Sequence, residues 1–182
     1  MKRWLLIVVV AAAAGWTSFG ARPAVNRGAL AALEHRFDRS IQSYQPNDPF
    51  HLLGTTRGVY LEDYGVVFTS ELNLVAAAVV TPFRPPFTEA QIEELRDKKL
   101  QRLEDLKKLM RSMMVDSATS LKTLPKDRRV AVGVTLFSFA WENSRGIPRQ
   151  ILMEARRGDL LGFESGKLDA AGLNAAIRVQ EF

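Results

Sequence analysis

Two adjacent carboxylates flanked by tyrosines form the most chemically suggestive group in the sequence. Glu62 and Asp63 lie between Tyr60 and Tyr64 in the stretch RGVYLEDYGVVFTSELNLV, residues 57–75. Two carboxyl groups can act as general acid and base, as in glycoside hydrolysis, when they face one reaction centre. Neighbouring residues on a hairpin loop point apart and stay solvated, and acidic residues also favour turns for structural reasons. The spacing therefore favours a turn, and any function located there is expected to be recognition rather than catalysis.

A second polar and aromatic group follows a later apolar run. Trp141, Glu142 and Arg145 lie in the stretch AWENSR, where a strand is expected to end and where binding residues often collect. A tryptophan at the edge of the core explains the same pattern without a ligand. Together with the four hairpin residues, these three side chains are candidates for binding.

An exported hydrolase is the alternative function that these carboxylates allow. It would combine Glu62 or Asp63 with Glu142. Such an enzyme requires two carboxyl groups in one concave pocket, with at least one of them desolvated.

Other reactive groups are scarce. The chain has no cysteine and only two histidines, His35 and His51, and His35 with Asp38 supplies fewer ligands than the three or four of a zinc site. In GFESG, residues 162–166, the serine stands one position too late for a nucleophile elbow. Neither a Gly-x-x-x-x-Gly-Lys nor a Gly-x-Gly-x-x-Gly motif occurs. We therefore expect no catalytic residue, no cofactor and no metal.

The N-terminus has the pattern of an export signal. Lys2 and Arg3 precede an unbroken apolar run that reaches Gly15, followed by small residues suited to cleavage. We predict a secretory signal peptide over residues 1–20 and a single domain over 21–182, periplasmic or extracellular. The alternative is an uncleaved anchor, although the run is short against the roughly 20 apolar residues that span a bilayer. Membrane contact is expected only in that case.

Charge gives no sign of a nucleic-acid partner. The formal net charge is +5 at pH 7, from 25 Lys and Arg against 20 Asp and Glu, and both signs are interleaved along the chain. Nucleic-acid-binding proteins carry basic blocks or stripes instead. The hydrophobic fraction of 47% is ordinary for a globular protein that buries its own core.

The elements that position the candidate residues follow from hydrophobic spacing. Apolar residues at helical intervals predict a first helix over 26–44, capped by Asn26. Alternation after Gly65 predicts a half-buried returning strand that continues to Val80. A capping box at Thr88 opens a long helix to about residue 124.

The remainder of the chain predicts a second hairpin and small closing elements. Strands are expected over 129–141 and 150–155, short helical turns after them, and an edge strand at the end. The order predicts an α+β fold: an antiparallel sheet built from two hairpins, packed on one face by a long amphipathic helix and an N-terminal helix.

The long helix suggests a protein partner. Met110, Met113 and Met114 cluster in its C-terminal half, and methionine suits adaptable interfaces, although packing on the sheet is the more usual role of such a stripe. At 1.5 Å per residue the helix is roughly 50 Å long, longer than a small sheet covers. One end is therefore expected to be available for self-association or a partner. These observations predict an exported cell-envelope protein that binds or assembles.

Overall fold

The computed structural model describes residues 25–76 and 86–182 and has a mixed α+β architecture, as predicted. Its elements, in chain order, are α1 (Arg27–Ser43), β1 (His51–Leu52), β2 (Arg57–Leu61), β3 (Gly65–Asn73), α2 (Glu89–Ser120), β4 (Arg129–Leu136), β5 (Gln150–Arg156), α3 (Arg157–Glu164), α4 (Ala170–Ala176) and β6 (Arg178–Glu181). The predicted continuation of β3 to Val80 lies outside the described residues.

The six strands form one sheet in the order β1-β3-β4-β5-β6, with β2 also paired to β3. The predicted β2–β3 hairpin is confirmed, with Val59 opposite Val67, and β4 pairs antiparallel with β5. The prediction of a wholly antiparallel sheet is wrong for β3 and β4, which run parallel with Val66 opposite Val130. The physical reason is α2, which carries the chain back along the sheet before β4 begins, as a parallel crossover requires.

The core lies between the sheet and the helices. Alternate strand residues, including Phe68 and Val132, are fully buried, and the ring of Phe37 on α1 packs edge-on against Phe68 with 4.9 Å between centroids. Burying one such side chain stabilises a fold by about 1.5–3 kcal/mol. Apolar residues from both layers therefore fix the helices on this face.

The methionines of α2 belong to this core. Met110, Met113 and Met114 are all buried, so a partner of α2 would have to contact other side chains of the helix. Burial on α2 begins only at Lys99. The first ten residues of the helix are consequently its least covered part, and a loop described below packs beside them.

The predicted helix caps are present. Oδ1 of Asn26 accepts from the backbone N–H of Ala29 at 2.8 Å, and Thr88 and Gln91 form a reciprocal capping box. Such caps satisfy N–H groups that the first helical turn leaves without partners. Within the described ranges, no helix has the length and apolar character that crossing a membrane demands.

Helix α1 also protects the edge strand β2. Oε1 of Glu34 accepts from the backbone N–H of Gly58 at 2.7 Å, and Oδ1 of Asp38 accepts from the N–H of Thr56 at 2.8 Å. The spacing of the two carboxylates along α1 matches the spacing of the two N–H groups along the strand, because four helical residues advance about 6 Å and two strand residues advance about 6.6 Å. Arg27 completes the arrangement by donating to the carbonyl of Gly58 at 3.1 Å. These hydrogen bonds occupy outward-facing N–H and C=O groups of the edge strand, which could otherwise pair with a strand of another chain.

Candidate functional site

The hairpin tip places its two acidic residues in solvent. Glu62 is exposed, and the side chain of Asp63 is 99% exposed with Arg128 3.9 Å from Oδ1. Gly65 closes the turn with φ +136°, a conformation that favours glycine. Tyr60 is half-buried. The two carboxylates therefore face water.

Tyr64 is joined to the neighbouring part of the sheet by a side-chain hydrogen bond. Its hydroxyl donates to Oε2 of Glu154 on β5 at 2.6 Å, so the phenol extends across β4 on the sheet face away from the helices. Burial, and then the hydrogen bond and negative charge of Glu154, raise the pKa of Tyr64 to about 12. The phenol is accordingly a protonated donor at neutral pH. Arg129 and Arg178, at 3.3 and 3.5 Å, complete the neutralisation of Glu154.

Trp141 lies in a stack of aromatic rings. Its indole is nearly parallel to the rings of Phe87 and Phe139, with centroids 4.4 and 5.8 Å away. Stacked aromatic pairs are favourable beyond the area that they bury. These two contacts explain the half-buried position of the tryptophan without a ligand.

Glu142 is buried against a lysine of the long helix. Its Oε2 accepts from Nζ of Lys99, and both side chains are only 3% exposed. The other carboxylate oxygen, Oε1, is buried and has no hydrogen-bond partner within the described residues. Three residues after Glu142 in the same loop, the carbonyl of Arg145 accepts from Nε of Arg96 at 3.0 Å. The side chain of Arg145 is exposed. The loop after β4 is thus clamped onto the first turns of α2.

The structure does not bring the two groups of candidate residues together. Tyr64 accepts a backbone hydrogen bond from Arg129 at the start of β4, whereas Glu142 follows the end of that strand. Eight strand residues separate these ends by roughly 26 Å at 3.3 Å per residue. Glu62 and Asp63 therefore cannot share a reaction centre with Glu142 in this arrangement.

A groove lies between α2 and the α3–α4 pair. Its volume is about 620 Å³, within the 300–1,000 Å³ typical of small-molecule sites. Val115, Phe163 and Leu173 supply apolar surface to its walls. We call this cavity the helix groove.

Arg111 is the distinctive polar residue of the helix groove. Its Nε is buried and has no hydrogen-bond partner in the described parts of the chain. Glu104, also in the groove, is already bound by Lys107 at 2.8 Å. That hydrogen bond lowers the pKa of Glu104, and the positive charge of Arg111 adds a smaller contribution in the same direction. Buried donors without partners are rare in native proteins, and each calls for an explanation.

Sequence reasoning missed the helix groove and two buried cations of α2. The apolar stripe passes from Leu95 to Leu103, and the helical positions between them that face inward are Lys99 and Arg102, both buried. Arg102 lies 4.2 Å above the ring of Phe50. The presence of Lys99 and Arg102 at positions where the stripe should be apolar was the sequence signal that could have identified the two buried cations. No sequence signal could have identified the groove, because its walls come from segments far apart in the chain.

Neither a group of metal ligands in the described residues nor a similar known protein indicates a function. His35 and His51 are exposed, and in residues 25–76 and 86–182 no three His, Cys, Asp or Glu side chains are grouped to hold a metal ion. No known protein family, curated protein or solved structure matches the chain.

Proposed function

We propose that the chain is a non-enzymatic binding domain of the cell envelope, exported by its N-terminal segment, and that the helix groove is its binding site. The observation that carries the proposal is Arg111, a guanidinium with a buried donor that lacks a partner, in a groove of about 620 Å³. Ligand sites commonly combine apolar walls with a few placed polar groups.

The positions of the carboxylates favour binding over the alternative, an exported hydrolase. Glu142 is neutralised by Lys99, and Asp63 is almost fully exposed. A carboxyl pair that performs acid–base chemistry needs one reaction centre and environments that separate the two pKa values. Glu62 and Asp63 lie at the hairpin tip, whereas Glu142 follows the far end of β4, so these carboxylates are not placed around one reaction centre.

Export rests on the sequence of the first 20 residues and is testable by itself. The full chain, carrying a C-terminal epitope tag, is produced in a Gram-negative host, and the periplasmic fraction is analysed by mass spectrometry. We expect a protein that begins at Ala21. A matched variant, Val9→Arg, interrupts the apolar run and should remain full-length in the cytoplasm. Full-length wild-type protein in the cytoplasm would refute export.

Binding in the helix groove is tested by hydrogen–deuterium exchange. The protein is mixed with solubilised envelope extract, and amide protection is compared with and without the extract. We expect protection within residues 104–116 and 163–174, the two sides of the groove, and its loss in the variant Arg111→Met. Protection confined to the hairpin tip or to the loop after β4 would assign binding elsewhere and reject this site.

A further inference from the structure

We propose that the helix groove takes a ligand with a single carboxylate and an apolar body, the chemistry of a fatty acid. Arg111 pairs with the carboxylate, and Val115, Phe163 and Leu173 contact the apolar part. This inference rests on the proposed function, because it names the ligand class of the same groove.

The head group is anionic because Arg111 is a permanent cation. A guanidinium does not lose its proton in proteins, and Arg111 is half-buried in the groove lining, so its positive charge favours an anionic partner. Its planar fork matches a carboxylate in a two-point contact, which a neutral hydroxyl cannot reproduce. On α2, Glu104 and Asp105 are engaged by Lys107 and Lys108 at 2.8 and 3.4 Å. Those pairs occupy two carboxylates of the helix, and no side chain of the described residues accepts a hydrogen bond from Nε of Arg111, although Asp116 and Glu164 also line the groove.

The charges that line the groove disfavour a ligand with several negative charges. Glu104, Asp116 and Glu164 line it together with the cations Lys108 and Arg111, so the lining carries three carboxylates and two positive charges. A polyphosphate or nucleic-acid strand would bring several negative charges against these acidic residues, and like charges at close range repel. A monocarboxylate brings one charge, directly to Arg111.

The body of the ligand is apolar because Val115, Phe163 and Leu173 supply apolar surface to the groove. Val115 and Leu173 are buried, and Phe163 packs half-buried against the core. Val115 and Leu173 are only 9% and 6% exposed, so Phe163 offers more of the apolar area that a ligand can cover, and covering it is favourable in proportion to that area. A flexible hydrocarbon chain can follow an irregular wall of this kind.

A small molecule fits the groove better than a helix of another protein. The part of α2 that lines it, residues 104–116, is about 18 Å long at 1.5 Å per residue. A standard protein interface buries about 800 Å² on each partner, which is more than a cleft this short offers. A peptide ligand is therefore an outcome that the test below must distinguish.

The experiment is isothermal titration calorimetry of the purified full chain with decanoate, below the concentration at which decanoate aggregates. Decanol and decyltrimethylammonium serve as neutral and cationic comparisons with the same chain length. We expect decanoate to bind more tightly than either, and Arg111→Met to weaken it at least about tenfold, which corresponds to 1.4 kcal/mol. Phe163→Ala should weaken all three ligands.

Arg39→Met is the matched control, since Arg39 is exposed on α1, and it should leave decanoate binding unchanged. Circular dichroism melts of every variant separate loss of binding from loss of folding. Equal affinity of wild type and a folded Arg111→Met for decanoate overturns the proposal, as does tighter binding of the cationic comparison.

The two proposals can fail separately. If decanoate does not bind but envelope extract still protects residues 104–116, the ligand class is wrong and the groove is still a binding site. If a synthetic acidic amphipathic peptide binds and decanoate does not, the ligand is a protein segment. Absence of both decanoate binding and extract protection rejects the groove itself.

Discussion

Removing one member of the Lys99–Glu142 pair should destabilise the protein much more than removing both. Each side chain is 3% exposed, so Lys99→Met leaves the carboxylate of Glu142 buried without a counter-charge, and Glu142→Leu does the same to the ammonium. Breaking a buried pair in this way costs about 3–5 kcal/mol, whereas replacing both partners with apolar residues is often neutral.

The expected loss of folding free energy is a large fraction of the total stability of a domain. Folded domains are typically stable by about 5–15 kcal/mol, so either single substitution should remove a large share. For a domain of 150–250 residues, each kcal/mol shifts Tm by about 2–4 °C. We therefore expect Tm to fall by roughly 6–20 °C in each single variant. The double variant Lys99→Met with Glu142→Leu should recover most of this loss.

The assay is urea unfolding at pH 7 of the chain that begins at Ala21, in which Trp141 is the only tryptophan. Its fluorescence reports on the loop that carries Glu142. Lys108→Met is a matched control on the same helix, because Lys108 is 71% exposed and pairs with Asp105 at 3.4 Å. Exposed pairs contribute about 0–1 kcal/mol, so this variant should unfold close to the wild-type midpoint.

Two results would refute the reasoning. Single substitutions that each cost less than about 1 kcal/mol would mean that water reaches the pair and screens it. Additive losses in the double variant would mean that the two charges do not interact, because a double-mutant cycle isolates their coupling.

Three further predictions concern the sheet and its edges. Tyr64→Phe removes the hydrogen bond to Glu154 and should cost about 1 kcal/mol at pH 7, where the phenol is protonated because its pKa is raised to about 12. A raised pKa stabilises the fold below the unfolded value, so the difference from wild type should shrink between pH 10 and 12 in chemical unfolding. Burial raises the pKa of Glu34, but hydrogen bonds from Arg27 and Gly58 outweigh it and leave that pKa below its usual value. Glu34→Gln should therefore cost about 1.5–3 kcal/mol at pH 7, and urea midpoints of variant and wild type should converge as pH falls below about 4. Gly65→Ala would put Cβ 2.0 Å from the carbonyl oxygen of Arg129 and should cost at least about 3 kcal/mol. Gly166→Ala, at φ +73° in open space, should cost only about 1–2 kcal/mol, and similar thermal melts of the two glycine variants would contradict the clash.

Local features of the fold could be predicted from the sequence because their causes are local. Asn26 and Thr88 cap the helices that follow them, and Gly65 closes the β2–β3 hairpin with a positive φ. In each case the interacting groups lie within a few residues, so spacing alone identifies them.

Features that depend on distant segments could not be predicted. The parallel pairing of Val66 with Val130 is set by the path of α2 over the sheet, and one sequence does not encode strand order in any visible pattern. Glu34 was not identified from the sequence, yet its carboxylate accepts a hydrogen bond from the backbone N–H of Gly58 on the edge strand. Glu142 was identified as a candidate, but its partner Lys99 is 43 positions away.

The crossover through α2 also has a consequence for how the chain folds. The β2–β3 and β4–β5 pairs join segments that are close in sequence, so each can form early. The ladder between β3 and β4 joins Val66 to Val130, and closing a loop of that length costs about 2.5 kcal/mol more entropy than closing a four-residue turn. Docking of the two halves should therefore limit the folding rate. Substitutions that loosen the packing of α2 on the sheet would then slow refolding as well as speed unfolding.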